Sequence, residues 1–193
     1  MRPRATASRE AGGTTGRREW LRRAVLALGA APLAAAQPKA PQGATDPAAR
    51  PKSPPLSVRT LDGETLEVAN QRGKVVLVDV MSTTCPSCKL ASEGIQRIFQ
   101  QLGGKGFLPV AVAVDQQAAG VLAFYRNVYR LTFPVGTCSR DEILAYLQLP
   151  AGKSLMVPTL VLIDKRGRIS ATQVGWTGEQ ELSAAVRALL GET

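Results

Sequence analysis

Two cysteines three positions apart, in the segment Cys85-Pro86-Ser87-Cys88, are the residues of this chain best suited to chemistry. They follow a mostly apolar run, residues 75–81, and precede a stretch with helical periodicity, which predicts a strand-to-helix turn. The ring that such a pair closes is so small that loop-closure entropy gives its disulfide little stabilising effect. The spacing therefore favours thiol exchange or metal binding over a structural bridge.

The predicted helix start favours the thiolate of Cys85. The first backbone N–H groups of a helix lack partners and the macrodipole is positive there. A sulfur at this point has a lowered pKa and is the nucleophile at neutral pH. Pro86 suits the first turn of the helix, where a missing N–H has no consequence. Cys88 lies one turn further on, where it faces a mixed disulfide on Cys85 and can attack it.

The cysteine count limits the other readings of the pair. The chain has three cysteines and no histidine, so it does not supply the four Cys or His ligands of a structural zinc site, and we expect no metal. Cys138 is left over; we expect a half-buried free thiol there, with a resolving role left open. A soft-metal carrier that holds Cu(I) on Cys85 and Cys88 remains open as a non-enzymatic alternative.

Residues 1–36 have the pattern of an export signal. The pair Arg17-Arg18 precedes a short apolar stretch, residues 24–36, that ends in three alanines, as in a twin-arginine signal. A general secretory signal and an uncleaved anchor are the alternatives. The segment holds seven arginines and two acids, so the net charge falls from +9 to +4 without it. We therefore expect an exported, periplasmic protein that binds no nucleic acid.

The remainder predicts a linker and one α/β domain. Residues 37–54, rich in Pro and Ala, predict a flexible linker, and residues 55–193 suit one domain with one core. Alternating residues on both sides of Asp62-Gly63 predict a β-hairpin over 56–68. Buried strands are expected over 75–80, 107–114 and 157–163, and helices over 86–102, 116–130, 139–147 and 178–190.

Each of the first two helices has an apolar face that should point to the core. The expected faces are Leu90, Ile95, Ile98, Phe99 and Leu102 in the first helix, and Val121, Phe124, Val128 and Leu131 in the second. Strands that alternate with helices predict a mixed sheet flanked by helices.

The segment Val-Asp-Val-Met-Ser-Thr-Thr-Cys-Pro-Ser-Cys-Lys, residues 78–89, resembles the active-site segment of the thioredoxin superfamily. The likeness is to its exported thiol–disulfide oxidoreductases of the TlpA and ResA type. It runs from about Leu56 to Leu190 and includes Leu61-Asp62-Gly63-Glu64, Phe133-Pro134-Val135 and Val157-Pro158-Thr159. The resemblance implies a thioredoxin-like fold, a mixed central sheet flanked by helices, with an N-terminal β-hairpin and an inserted helical segment.

The resemblance also implies roles for individual residues. Cys85 would attack the substrate, Cys88 would resolve the mixed disulfide, and Asp79 would be the buried acid that assists deprotonation of Cys88. Pro158 matches the family's cis-proline opposite the thiols, and the backbone of Val157 pairs with the substrate chain. Thr84 and Pro86, on either side of Cys85, complete the expected substrate-binding residues. Thr84 replaces a tryptophan that is common in the family.

The resemblance implies no dissociable cofactor, because the electrons reside in the Cys85–Cys88 disulfide. It implies protein thiols and disulfides as substrates and a membrane thiol carrier as electron donor, and we expect a monomer. The lack of a histidine between the cysteines favours a reductase over an oxidase. Ser82-Thr83-Thr84-Cys85 also fits the Thr/Ser-x-x-Cys of peroxiredoxins, so a thiol peroxidase remains open as an alternative.

Overall fold

The computed structural model describes residues 46–115, 118–150 and 152–192. The predicted export signal, residues 1–36, and the first part of the predicted linker lie outside these ranges and stay predictions. Within the described ranges, no helix is both long enough and apolar enough to cross a membrane.

The described residues contain seven strands and four α-helices. They are β1 (Ser57–Thr60), β2 (Thr65–Glu67), β3 (Val75–Met81), α1 (Pro86–Leu102), β4 (Phe107–Ala113), α2 (Ala118–Val128), β5 (Val135–Thr137), α3 (Arg140–Tyr146), β6 (Thr159–Ile163), β7 (Ile169–Val174) and α4 (Glu179–Gly191). The strands form one mixed sheet in the order β2-β1-β5-β4-β3-β6-β7. The predicted hairpin is confirmed: β1 and β2 pair antiparallel around a turn in which Gly63 has φ +85°.

Strand β3 positions the residues of interest. It lies between parallel β4 and antiparallel β6, and all its residues are buried, as its apolar sequence predicts. Alternate side chains enter different core clusters, with Leu77 and Met81 on one face and Val78 and Val80 on the other. Asp79 shares the face of Leu77 and Met81, which is the face that α1 covers.

Three of the four residues predicted for the apolar face of α2 are on the wrong face, and the fourth, Leu131, is buried as predicted. Phe124 is 73% exposed, and Val121 and Val128 are also exposed, whereas Leu122 and Tyr125 are buried. Both faces carry large apolar side chains, so helical periodicity alone did not distinguish them. The buried face is the one whose Tyr125 hydroxyl lies 3.0 Å from the hydroxyl of Ser92 on α1.

One residue of the face predicted for α1 is also wrong. Leu90 is 59% exposed, and the smaller residues Cys88 and Ala91 take the inward positions of the first turns. Ile95, Ile98 and Leu102 are buried as predicted.

The end of the predicted linker lies against the domain. The buried guanidinium of Arg50 donates to the carboxylates of Asp164, 3.2 Å away, and Glu192, 2.6 Å away. The backbone N–H of Ser53 donates to the carbonyl of Gly167 at 3.0 Å. The Pro and Ala content predicts a flexible linker here. The ion pairs of the buried Arg50 instead hold this part of the chain against the domain. The contacts of the domain therefore begin upstream of residue 55.

Candidate active site

The turn between β3 and α1 is held by side-chain hydrogen bonds. The backbone N–H and the hydroxyl of Thr83 donate to the carboxylate of Asp115, at 3.1 and 2.7 Å. Asp115 follows β4, the neighbour of β3 in the sheet. The N–H of Cys85 donates to the carbonyl of Ser82 at 3.2 Å. These bonds fix the point at which the chain enters α1.

Cys85 is the N-cap residue of α1. Its sulfur accepts a hydrogen bond from the backbone N–H of Cys88 at 3.2 Å, and the hydroxyl of Ser87 lies 3.3 Å from it. Partial burial opposes the charged form, but the hydrogen bonds from Cys88 and Ser87 outweigh it and lower the pKa of Cys85. Cys85 is therefore the better nucleophile of the two.

Cys88 has the opposite environment. Its side chain has no exposed surface, and burial raises the pKa of its thiol well above the ordinary value. Both cysteines are free thiols in this structure. One sulfur is thus reachable and readily ionised, and the other is enclosed and protonated until something removes its proton.

The segment before β6 faces Cys85 from across the site. The Val157–Pro158 peptide bond is cis, as the resemblance implied, and the carbonyl oxygen of Val157 lies 3.7 Å from the sulfur of Cys85. The hydroxyl of Thr159 donates to the carbonyl of Met156 at 2.6 Å. The N–H of Gly175 donates to the carbonyl of Pro158 at 2.7 Å. These bonds hold the proline segment beside the thiol.

Asp79 is enclosed by apolar neighbours. It is fully buried, and its strand partners are Ala111 on β4 and Leu160 on β6. Within the described part of the chain, neither of its carboxylate oxygens has a hydrogen-bond partner. Burial raises the pKa of Asp79 to about 7. The carboxyl group can therefore take up or release a proton near neutral pH.

The two segments that meet at Cys85, the start of α1 and residues 156–157, carry exposed apolar side chains. Pro86 follows the thiol and is exposed, and Leu90 lies one turn further along α1. Met156, which is 60% exposed, precedes the half-buried Val157. We call these four residues the apolar rim. Thr84, also exposed, has its hydroxyl 3.1 Å from that of Ser82 rather than on the sulfur.

Cys138 is apart from the pair. It follows β5, which runs parallel to β4 and ends at the same edge of the sheet as β3. However, it packs against the core cluster on the opposite face from that of Cys88. Burial raises the pKa of Cys138 to about 12, with the charge of Glu142 adding to the effect. It is a half-buried free thiol, as expected from the sequence.

Sequence analysis missed three contributors to the site. The hydroxyl of Ser87 at the sulfur, the tie between Thr83 and Asp115, and the exposure of Leu90 all emerge from the structure. A serine in the first turn of a helix that follows an N-cap cysteine is the one signal that could have revealed the first of these. The hydrogen bonds between Thr83 and Asp115 and the exposure of Leu90 depend on the tertiary packing of strands and helices, which no local sequence pattern specifies.

The fold and the paired thiols define a thioredoxin-fold oxidoreductase. Similar solved structures include a thiol:disulfide interchange protein of the thioredoxin family from Chlorobium tepidum TLS, with a TM-score of 0.66 and 25% identity. The similarity covers 74% of this chain and 97% of that one. The predicted thioredoxin-like fold is confirmed. Residues 39–189 match the Redoxin family, and the chain belongs to that family.

Two characterised relatives carry names of the same class. Thiol-disulfide oxidoreductase ResA of Bacillus thuringiensis (strain Al Hakam) is 24% identical over 136 residues, which is 70% of this chain and 75% of the relative. Sporulation thiol-disulfide oxidoreductase A of Bacillus subtilis (strain 168) is 24% identical over 126 residues, covering 64% of this chain and 73% of the relative.

Replacing Ser87 tests the origin of the lowered pKa of Cys85. Ser87→Ala removes a hydrogen bond to the thiolate, so the pKa of Cys85 should rise by about half a unit or more. The measurement is the pH dependence of the alkylation rate of the reduced protein, with the modified cysteine located by mass spectrometry. Thr84→Val is the matched control, since it removes a neighbouring hydroxyl that does not contact the sulfur. Equal midpoints in Ser87→Ala and wild type would contradict this assignment.

Replacing Asp79 tests whether its carboxyl group is buried and unpaired. An acid with a raised pKa in the folded state makes the protein less stable as pH rises from its unfolded pKa, near 4, to its folded value, about 7. Reduced wild-type protein should therefore lose about 2 kcal/mol through this group between pH 5.5 and pH 8, relative to Asp79→Asn. Urea unfolding at both pH values measures the difference. Parallel changes in the two proteins would show that Asp79 is not buried as described.

Proposed function

We propose that this protein exchanges disulfides with exported protein substrates through Cys85 and Cys88, and that it acts as a reductase. The observation that carries the proposal is the asymmetry of the two sulfurs. Cys85 is reachable at the N-terminus of α1 and has a lowered pKa, whereas Cys88 is enclosed directly behind it. Exchange needs one thiol for attack and a second, protected thiol for release.

The proposed reaction has two steps. The thiolate of Cys85 attacks one sulfur of a substrate disulfide, forms a mixed disulfide and expels the other substrate sulfur as a thiolate. Cys88 then gives its proton to Asp79 and attacks the sulfur of Cys85. The second substrate thiolate leaves, and the Cys85–Cys88 disulfide remains. Two electrons have passed from the cysteine pair to the substrate, so no dissociable cofactor is required.

Asp79 is the proposed proton acceptor for Cys88. It lies on the face of β3 that α1 covers, and Cys88 belongs to the same core cluster as its neighbours Leu77 and Met81. With a pKa of about 7, the group is partly ionised at neutral pH and can accept the proton there. A lower pKa would make the carboxylate a weaker base for the high-pKa thiol of Cys88.

The surroundings of Cys85 support a polypeptide substrate. We propose that Val157 presents its backbone to an extended substrate segment, with Pro158, Thr84 and Pro86 forming the rest of the contact. The apolar rim around the thiol offers Leu90 and Met156 to side chains that flank the substrate cysteine. Exposed apolar side chains that surround a reactive group are typical of a protein-binding surface.

The reductase direction rests on the way the thiolate is stabilised. A strongly oxidising pair stabilises its reduced form with a deeply lowered pKa. Here the partners that lower the pKa of Cys85 are neutral, namely Ser87 and the backbone of Cys88, which stabilises the thiolate less than a cation does. We propose that a membrane thiol carrier renews the dithiol after export of the protein by way of residues 1–36, and that the protein acts as a monomer.

Cysteine variants test this function against the two alternatives. Cys85→Ser should abolish the reduction of insulin disulfides, and Cys88→Ser should accumulate a mixed disulfide on Cys85 with turnover lowered at least about a hundredfold. Cys138→Ser is the matched control and should keep wild-type turnover, since Cys138 lies on the other face of the sheet.

Stopped-flow peroxide consumption and a Cu(I) titration of the reduced protein complete this test. Slow reaction with peroxide and weak Cu(I) binding are expected. Rapid oxidation of Cys85 to sulfenic acid, without insulin reduction, would favour a thiol peroxidase instead. Tight Cu(I) binding with no disulfide exchange would favour the metal carrier.

A further inference from the structure

A glycine in the middle of α1 makes room for a tryptophan ring. Gly94 is buried in this helix, and a Cβ atom added to it would overlap Cζ2 of Trp176 and lie 2.8 Å from its Cη2. Glycine is unfavourable in a helix interior, where alanine is intrinsically better. Any side chain at position 94 would displace the ring, so Trp176 lies directly against the backbone of α1.

Trp176 belongs to the turn between β7 and α4. The side-chain amide of Gln173 donates to the carbonyl of Gly175, the residue before Trp176, at 3.1 Å. The guanidinium of Arg97 on α1 donates to the carboxylate of Glu179, the first residue of α4, at 2.7 Å. The indole is half-buried and packs against the core cluster beneath α1, so it adds an apolar contact between this turn and the helix.

The same turn holds the segment that faces Cys85. The N–H of Gly175 donates to the carbonyl of Pro158 at 2.7 Å. Proline has no N–H, so hydrogen bonds can hold its backbone only through the carbonyl. On the other side of Pro158, the carbonyl of Val157 lies 3.7 Å from the sulfur of Cys85. A displacement of Gly175 would therefore be passed on to the Val157–Pro158 segment.

These contacts form a closed path around the site. The path runs along α1 from Cys85 to Gly94, across the ring of Trp176 to Gly175, and through the hydrogen bond to Pro158 back to the thiol. Closely packed side chains transmit displacements rather than absorb them. The contact of the ring with α1 therefore fixes the spacing between the helix that carries the nucleophile and the segment that faces it.

We propose that Trp176 is a positioning residue for the attack of the Cys85 thiolate. Its contact with Gly94 fixes where the Val157–Pro158 segment lies relative to the thiol. A substrate aligned along Val157 then presents its disulfide at the distance and direction that the attack requires. Trp176 takes no part in bond formation or proton transfer. This catalytic consequence rests on the proposed function, whereas the link from Trp176 to Pro158 does not.

The pKa of Cys85 does not depend on this path. The groups that lower it, the hydroxyl of Ser87 and the backbone N–H of Cys88, both lie in the first turn of α1. A disturbance at Trp176 should therefore impair the alignment of a protein substrate and leave the thiolate unchanged. A small disulfide that does not pair with the backbone of Val157 should react as before.

The test adds one methyl group to α1 of the full-length chain. Gly94→Ala should lower kcat/KM for the reduction of insulin disulfides about tenfold, because the methyl group displaces the ring of Trp176. The alkylation midpoint of Cys85 and the rate with a small aromatic disulfide, 5,5′-dithiobis(2-nitrobenzoate), should keep their wild-type values. Gly120→Ala is the matched control: it adds the same group to α2, where no described atom lies within 4 Å of it.

A double variant tests whether the ring is the cause. Trp176→Leu should lower kcat/KM for insulin in the same way, and Gly94→Ala should then have little further effect, because the ring that it displaces is gone. Equal effects of Gly94→Ala in both backgrounds would overturn the proposal, as would unchanged kcat/KM in both single variants. An equal loss with the small disulfide would also overturn it. If Gly94→Ala does not fold, Trp176→Leu with the two substrates decides.

Hydrogen exchange of the Gly175 amide separates this proposal from the proposed function. The Gly175 N–H should exchange faster in Gly94→Ala than in wild type or Gly120→Ala, because its bond to Pro158 is weakened. Unchanged exchange would overturn the proposal. If wild-type protein reduces no insulin but exchange is faster in Gly94→Ala, the proposed function is refuted and the link from Trp176 to Pro158 is confirmed.

Discussion

The hydrogen bond from the backbone N–H of Cys88 to the sulfur of Cys85 is the interaction on which the site depends. It makes Cys85 the cap of α1, satisfies an N–H group that a helix start leaves without a partner, and stabilises the thiolate. Because the donor belongs to the backbone, only the correct entry into α1 can provide this bond. The contact between Thr83 and Asp115 fixes that entry.

Burial has the opposite effect on Cys88 and Asp79, whose pKa values it raises. Cys88 and Asp79 are both removed from water, and among the described residues no cation lowers the pKa of either group, so burial raises the pKa of each. The result is two groups that prefer to hold protons, next to a thiol that prefers to release one. In the proposed reaction, this separation of acid strengths sets the order of events: Cys85 acts first, and Cys88 acts only after Asp79 has taken its proton. The fold produces this difference in pKa because it places the sulfur of Cys85 at the N-terminus of α1 and buries the sulfur of Cys88 beneath the helix.

The strands and the thiol pair were predictable from the sequence because their signals are local. The apolar run before Cys85, the Asp62-Gly63 turn and Pro86 in the first turn of α1 each act over a few residues, and the structure agrees with them. The Val157–Pro158 geometry came from the family resemblance, because no short-range rule specifies a cis bond.

What the sequence could not decide depends on contacts between distant segments. Two faces of α2 were similar in apolar content, and the choice was made by the neighbours of Tyr125 on α1. Arg50 looked like a linker residue until Asp164 and Glu192, more than a hundred residues away, were seen around its guanidinium. The environment of Asp79 likewise depends on Ala111 and Leu160, which the sheet register brings beside it. Periodicity and composition describe one segment at a time and do not contain this information.

The reduction potential of the Cys85–Cys88 couple tests the account most directly. Equilibration of the protein with thiol–disulfide buffers, followed by mass spectrometry of alkylated thiols, gives both the potential and the cysteines that pair. We expect one two-electron couple between these two sulfurs, with a potential nearer the thioredoxin value of about −270 mV than the value of about −120 mV found for a strong oxidant. A couple at the oxidising end, or no reversible disulfide between Cys85 and Cys88, would contradict the account.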